Sequence, residues 1–85
     1  MTQAKLHDTV ALVEDTKTYQ FMTDKEVILR RGQVGTVVEV YNNGEAFEVE
    51  FSDTQGQAYA LLTVKSEKLM LLLYNLTELD LVSNC

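Results

Sequence analysis

The dipeptide Asn43-Gly44 lies between two runs in which apolar and polar residues alternate. Such a segment has one obvious fold, an antiparallel hairpin, because Asn-Gly suits a tight turn whose central positions both need φ > 0. A two-residue loop pairs Asn42 with Glu45, and the register follows by counting outward. Val40 then faces Phe47, Val38 faces Val49 and Thr36 faces Phe51, which makes one face apolar on both strands. The other face pairs Tyr41 with Ala46, Glu39 with Glu48 and Val37 with Glu50. Like charges directly opposite each other are mildly destabilising there.

The rest of the chain repeats the theme. Proline is absent, and the four glycines, Gly32, Gly35, Gly44 and Gly56, separate short runs rich in Val, Leu, Phe and Tyr. That pattern predicts an all-β domain with strands near 9–13, 34–41, 46–51, 57–64 and 69–74. Residues 19–22 and 27–29 flank the polar stretch 23–26 and read as an extra hairpin standing off the main sheet. Asp53-Thr54-Gln55-Gly56 fits a type I turn whose glycine makes a bulge. With Asp53 opposite Gln57, Phe51 meets Tyr59 and Val49 meets Leu61. A loop one residue longer would turn Ala58, Ala60 and Leu62 inward instead. Residues 65–68 suit a single 3₁₀ turn. Beyond it Leu69, Leu71 and Leu73 point inward, with Met70, Leu72 and Tyr74 outward. The tail 75–85 reads either as a short helix capped by Asn75 and Glu78, carrying Leu76, Leu79 and Val82, or as a strand.

Composition narrows the function. The 85 residues make a single domain, 1–85, with its core at about 9–74. Seven basic against thirteen acidic side chains leave a formal charge of −6, which disfavours a phosphate backbone as main partner. One histidine and one cysteine leave no histidine-rich metal cage and no internal disulfide. The lone Cys85 fits a reducing compartment, so the expected location is the cytoplasm. Residues 1–8 lack the apolar stretch of a signal peptide, and the most apolar window, 69–73, is far short of the roughly 20 residues of a membrane span.

From Leu29-Arg30-Arg31-Gly32-Gln33-Val34-Gly35-Thr36-Val37-Val38-Glu39-Val40-Tyr41 onward the chain resembles a known family. Together with Phe47-Glu48-Val49-Glu50-Phe51 and Tyr59-Ala60-Leu61-Leu62-Thr63-Val64, it is similar to the small bacterial proteins grouped as domain of unknown function 4926. The likeness runs from about Val10 to Leu72. It implies a small SH3-like barrel of about five strands and brings no activity, cofactor or catalytic residue. The sequence Gly35-Thr36-Val37-Val38 also resembles the KOW element of ribosomal and transcription-associated proteins, where the glycine permits a tight backbone bend.

No catalytic motif stands out. His7 beside Asp8 reads as surface chemistry, and there is no phosphate loop, metal-ligand spacing or nucleophile motif. The aromatic residues read as core or cross-strand packing. The chain is therefore expected to be a non-enzymatic protein-binding module without cofactors, of the antitoxin, immunity or accessory-subunit kind. Its candidate contact residues are Glu39, Glu48 and Glu50, facing a basic partner, and Arg30 and Arg31. The alternative is a KOW-like nucleic-acid-binding domain contacting phosphate through Lys25, Arg30 and Arg31. The leucines of the C-terminal third further suggest a two-fold dimer in which each tail covers the outward residues Leu62, Met70, Leu72 and Tyr74 of its neighbour. The same tail could instead lie over its own domain.

Overall fold

The computed structural model describes residues 4–72. The chain forms β1 (Thr9–Leu12), β2 (Thr16–Tyr19), β3 (Glu26–Leu29), β4 (Val34–Tyr41), β5 (Ala46–Ser52) and β6 (Ala58–Lys65). A 3₁₀ turn over Ser66–Lys68 then leads into β7 (Leu69–Leu71). Five strands make one antiparallel sheet in the order β6-β5-β4-β1-β7, and β2 and β3 pair separately as a hairpin. This meander, with a hairpin in its first connection and a 3₁₀ turn before its last strand, is the SH3-like plan left unclosed. The edge strands β6 and β7 share no ladder among the described residues.

The all-β class, the extra hairpin and the 3₁₀ turn agree with the sequence reading. The first strand of the extra hairpin lies earlier than expected, at Thr16–Tyr19, and Phe21 and Met22 form its tip. The last strand begins at Leu69 as expected, with Leu69 buried and Met70 exposed. The expected dispositions of Leu73, Tyr74 and the tail 75–85 lie outside the described residues.

The hairpin about Asn43-Gly44 forms, but its turn is wider than a two-residue loop. Asn42, Asn43 and Gly44 all take positive φ, and the N–H groups of Gly44 and Glu45 both donate to the Tyr41 carbonyl. Asn42 and Glu45 therefore belong to the turn, and pairing starts at Tyr41 with Ala46. Val40 faces Phe47 and Glu39 faces Glu48 as expected. Beyond them the register shifts by one residue at Val38, so Val37 opposes Val49 and Thr36 opposes Glu50. The expected pairs Val38–Val49, Thr36–Phe51 and Val37–Glu50 are thereby overturned. A bulge places two residues against one and exchanges the faces of everything past it. Val37 is fully buried, whereas Val38 is 37% exposed.

A second bulge sets β6. Asp53 does oppose Gln57, whose carbonyl accepts its N–H at 2.8 Å, and Gly56 takes a φ of 81° in the turn. Between Phe51 and Ser52 the ladder then skips Tyr59, so Phe51 pairs with Ala60 and Val49 with Leu62. Phe51–Tyr59 and Val49–Leu61 are not pairs. Ala60 and Val64 are buried, Leu62 packs against the core, and Leu61 is the outward residue. Leu62 consequently leaves the set of outward apolar residues.

The core unites Phe47, Val49 and Phe51 of β5 with Val10, Leu12, Leu29, Val37, Ala60, Val64 and Leu69. Gly35 admits β5 closely: a Cβ there would lie 2.7 Å from Val49 Cγ1 and 2.9 Å from the Glu50 carbonyl oxygen. This close approach is what holds the position to glycine in the sheet.

Candidate functional site

Alternation along β5 buries Phe47, Val49 and Phe51 and so sends Glu48 and Glu50 to the opposite, outer face. Glu39 joins them from β4, directly across from Glu48. Two carboxylates in register would repel, yet Glu48 is held in place. Its Oε1 accepts the Thr63 hydroxyl at 2.7 Å from β6 and the Tyr41 hydroxyl at 3.3 Å from β4. Glu39 Oε1 accepts the N–H of Val40 at 3.3 Å. Glu50 lies between Thr36 and Leu61 in the ladder. The three carboxylates thus form an acidic row on the outer face, Glu39 exposed and Glu48 and Glu50 half-buried, bordered by Tyr41 and Thr63.

Tyr41 senses this row. Loss of hydration first, then the charge and hydrogen bond of Glu48 and the charge of Glu39, raise its phenol above the ordinary value. Thr63 is the member that sequence reasoning missed. With Asp53 opposite Gln57 an unbroken ladder sets Glu48 against Leu62, and the bulge at Tyr59 moves it to Thr63.

The basic pair lies elsewhere. Arg30 and Arg31 open the tight turn before β4, in which Gln33 N–H donates to the Arg30 carbonyl and Gly32 takes a φ of 89°. Asp15 reaches this turn from the β1–β2 connection. Its Oδ1 accepts Arg31 N–H at 2.8 Å, and its Oδ2 meets Arg30 Nη1 at 3.3 Å. The Arg31 N–H contributes most to holding the Asp15 carboxyl below its ordinary value; Arg30 adds to this, against a loss of hydration that pushes the other way. The acidic row runs along the β4–β5 ladder and the basic pair lies in the turn before β4, and among the described residues no hydrogen bond or ion pair joins them into one site. Arg30 is engaged in an ion pair, and Arg31 makes none among the described residues.

Two shallow grooves accompany these features. One, of about 450 Å³, lies between the β4–β5 turn and the 3₁₀ turn and is lined by Asn42, Glu45, Ala46, Lys65, Ser66 and Glu67. The other, of about 410 Å³, runs between Ile28 and Leu29 and the loop Ser52, Asp53 and Thr54. Among the described residues no three His, Cys, Asp or Glu side chains converge to hold a metal, and no helix is long and apolar enough to cross a membrane. His7 takes a φ of 73° and binds through its backbone, its N–H donating to the Val37 carbonyl at 2.7 Å. Asp8 Oδ2 accepts the Lys5 N–H. The aromatics divide: Phe47 and Phe51 are buried, whereas Tyr19, Phe21 and Tyr41 are exposed and do not fill the core.

No curated protein and no solved structure matches the chain. The family profile described as Domain of unknown function (DUF4926) matches residues 6–71, from the segment before β1 to the end of β7. With most of its 85 residues inside that match, the chain is a member of the DUF4926 family.

Proposed function

We propose that the domain is a non-enzymatic docking module whose outer β4–β5 face receives a basic protein partner. The observation that carries this reading is the acidic row: Glu48 fixed by Tyr41 and Thr63, with Glu39 and Glu50 beside it. A carboxylate already oriented by two hydroxyls loses little side-chain freedom on meeting a lysine or arginine, so less ordering cost opposes binding. The chain's formal charge of −6 adds long-range attraction to a basic surface. An antitoxin, an immunity protein or an accessory subunit would use such a face in the same way. The lone Cys85 fits a reducing compartment, and we place the module in the cytoplasm.

The test is affinity capture from the native host, comparing the wild type with Glu39→Lys/Glu50→Lys, which leaves Glu48 and its hydroxyl partners untouched. A stoichiometric basic partner retained by the wild type, released by salt and lost by the variant is the expected result. Capture of the same protein by both, or of none by either, refutes the reading. Nucleic-acid binding has less support, because Arg30 is already paired with Asp15; a shift of labelled RNA or DNA at low salt would revive it.

A further inference from the structure

The sheet has two edges of unequal length. β7 has three residues, a short edge of the kind that resists pairing, whereas β6 has eight. Which backbone groups β6 leaves open follows from two hydrogen bonds. Ser66 N–H donates to the Glu45 carbonyl, on the β5 side. The Tyr59 carbonyl accepts Phe21 N–H from the tip of the β2–β3 hairpin, on the opposite side. Because direction alternates residue by residue along a strand, Ala60, Leu62 and Val64 turn their N–H and C=O groups to β5. Leu61, Thr63 and Lys65 turn theirs away from it, to an edge with no ladder partner among the described residues. The hairpin tip hydrogen-bonds to this edge at Tyr59. From Leu61 to Lys65 it carries no proline and no bulge, the devices that normally blunt an edge, and its one charge is Lys65.

We infer that β6 pairs antiparallel with β6 of a second copy of this chain, about a two-fold axis through Thr63. This goes beyond the docking reading and stands whether or not a basic partner exists. In that register Thr63 faces its own counterpart, and Leu61 of each copy faces Lys65 of the other. All of these residues direct their backbone groups across the new seam, giving about six hydrogen bonds. The same register is complementary in charge. Leu61 is paired with Glu50 on its other side, so the outer face reads Glu50, Leu61, then Lys65 of the second copy. The Cα atoms of that lysine and Glu50 lie two strand spacings apart, about 10 Å, within the combined reach of the two side chains. Each protomer thus offers the only cation on β6 to its partner's acidic row. A closed two-fold pair satisfies both edges at once, which a single foreign strand on one domain does not. The seam is short, so the association is weak and concentration-dependent.

Sedimentation equilibrium of the full chain over a micromolar-to-millimolar series tests this directly. The wild type is expected to pass from monomer to dimer. Leu61→Lys sets lysine against lysine at both ends of the seam, and Lys65→Glu sets glutamate beside the acidic row. Leu61→Lys should weaken the dimer about tenfold, as two like-charge cross-strand contacts would, and Lys65→Glu should weaken it by less, because its carboxylates meet the acidic row across Leu61. The double variant Leu61→Lys/Lys65→Glu restores opposite charges in this register and should dimerise again. Both side chains are exposed, so all three variants are expected to keep the wild-type circular dichroism and melt. A wild type that stays monomeric throughout overturns the inference. So does a dimer indifferent to both single changes, which would lie on another surface, or a folded double variant that fails to recover.

Discussion

The Thr63 hydroxyl donates to Glu48 Oε1 at 2.7 Å, across two neighbouring strands, and the Tyr41 hydroxyl reaches the same oxygen at 3.3 Å. One carboxylate oxygen therefore ties together β4, β5 and β6 on the outer face. Removing its charge has consequences for Tyr41. The phenol is raised from 10.0, first by lost hydration and then by Glu48. A raised acid holds its proton more firmly in the folded than in the unfolded chain, so its stabilising effect is full below pH 10 and fades as pH climbs through the folded value. Ultraviolet titration of tyrosinate, with Tyr41→Phe as the subtraction, should place Tyr41 above 10.0. In Glu48→Gln it should move down. An unmoved midpoint would show that Glu48 does not act on the phenol.

The two valines of the β4 bulge should respond differently to the same change. Val37 is fully buried and Val38 is 37% exposed. Val37→Asp places an unpaired charge in the core, a cost of several kcal/mol that a small domain cannot absorb. Val38→Asp should shift the thermal midpoint only slightly. Similar midpoints for the two variants would mean that the bulge is wrongly placed.

Gly35 is limited by space, unlike Gly32, which needs a positive φ. A methyl group at Gly35 would meet Val49 Cγ1 at 2.7 Å, Phe51 Cδ1 at 2.9 Å and the Glu50 carbonyl oxygen at 2.9 Å. Backbone cannot move aside as a side chain can, so Gly35→Ala should cost about 1–3 kcal/mol. Gly32→Ala meets nothing within 4 Å and suffers only from its φ of 89°, a cost of about 1 kcal/mol. Urea denaturation of both variants gives the comparison. A smaller loss at Gly35 than at Gly32 would contradict the close approach of β5.

Asp15 should govern part of the acid response. Its carboxyl is lowered from 3.8, chiefly by the N–H of Arg31. A depressed acid stabilises the fold above its unfolded value, and the contribution is lost as pH falls through the folded value. Carbon-detected NMR titration should place Asp15 below 3.8, and Asp15→Asn should make the decline of stability in acid shallower. An Asp15 that titrates at 3.8 would mean that the Arg30–Gln33 turn is not closed by this carboxylate in solution.

How far the sequence carried depended on the distance over which its signals act. Alternation and turn residues are local, and they were enough for the all-β class, the hairpin about Asn43-Gly44, the 3₁₀ turn at Ser66–Lys68 and the outward placing of Glu48 and Glu50. They also paired Glu39 with Glu48, because only Val40 and Tyr41 separate that pair from the turn. The two bulges were decided by neighbours that the hairpin sequence does not contain. At Val37 the chain before β1 docks on β4, His7 donating to the Val37 carbonyl and Val37 N–H donating to the Asp8 carbonyl. That docking and the close packing of Gly35 against β5 draw Val37 into the core and leave Val38 as the extra residue. At Tyr59, Ala58 to Leu62 is apolar on both faces, so its pattern fits either register. Contact with the β2–β3 hairpin, Phe21 N–H on the Tyr59 carbonyl, accompanies the register that is adopted. The partners of the candidate residues were hidden for the same reason. Asp15 meets Arg30, and Glu48 meets Thr63, each across 15 residues of chain. No residue-by-residue periodicity reports such a contact; only the completed sheet brings those side chains together.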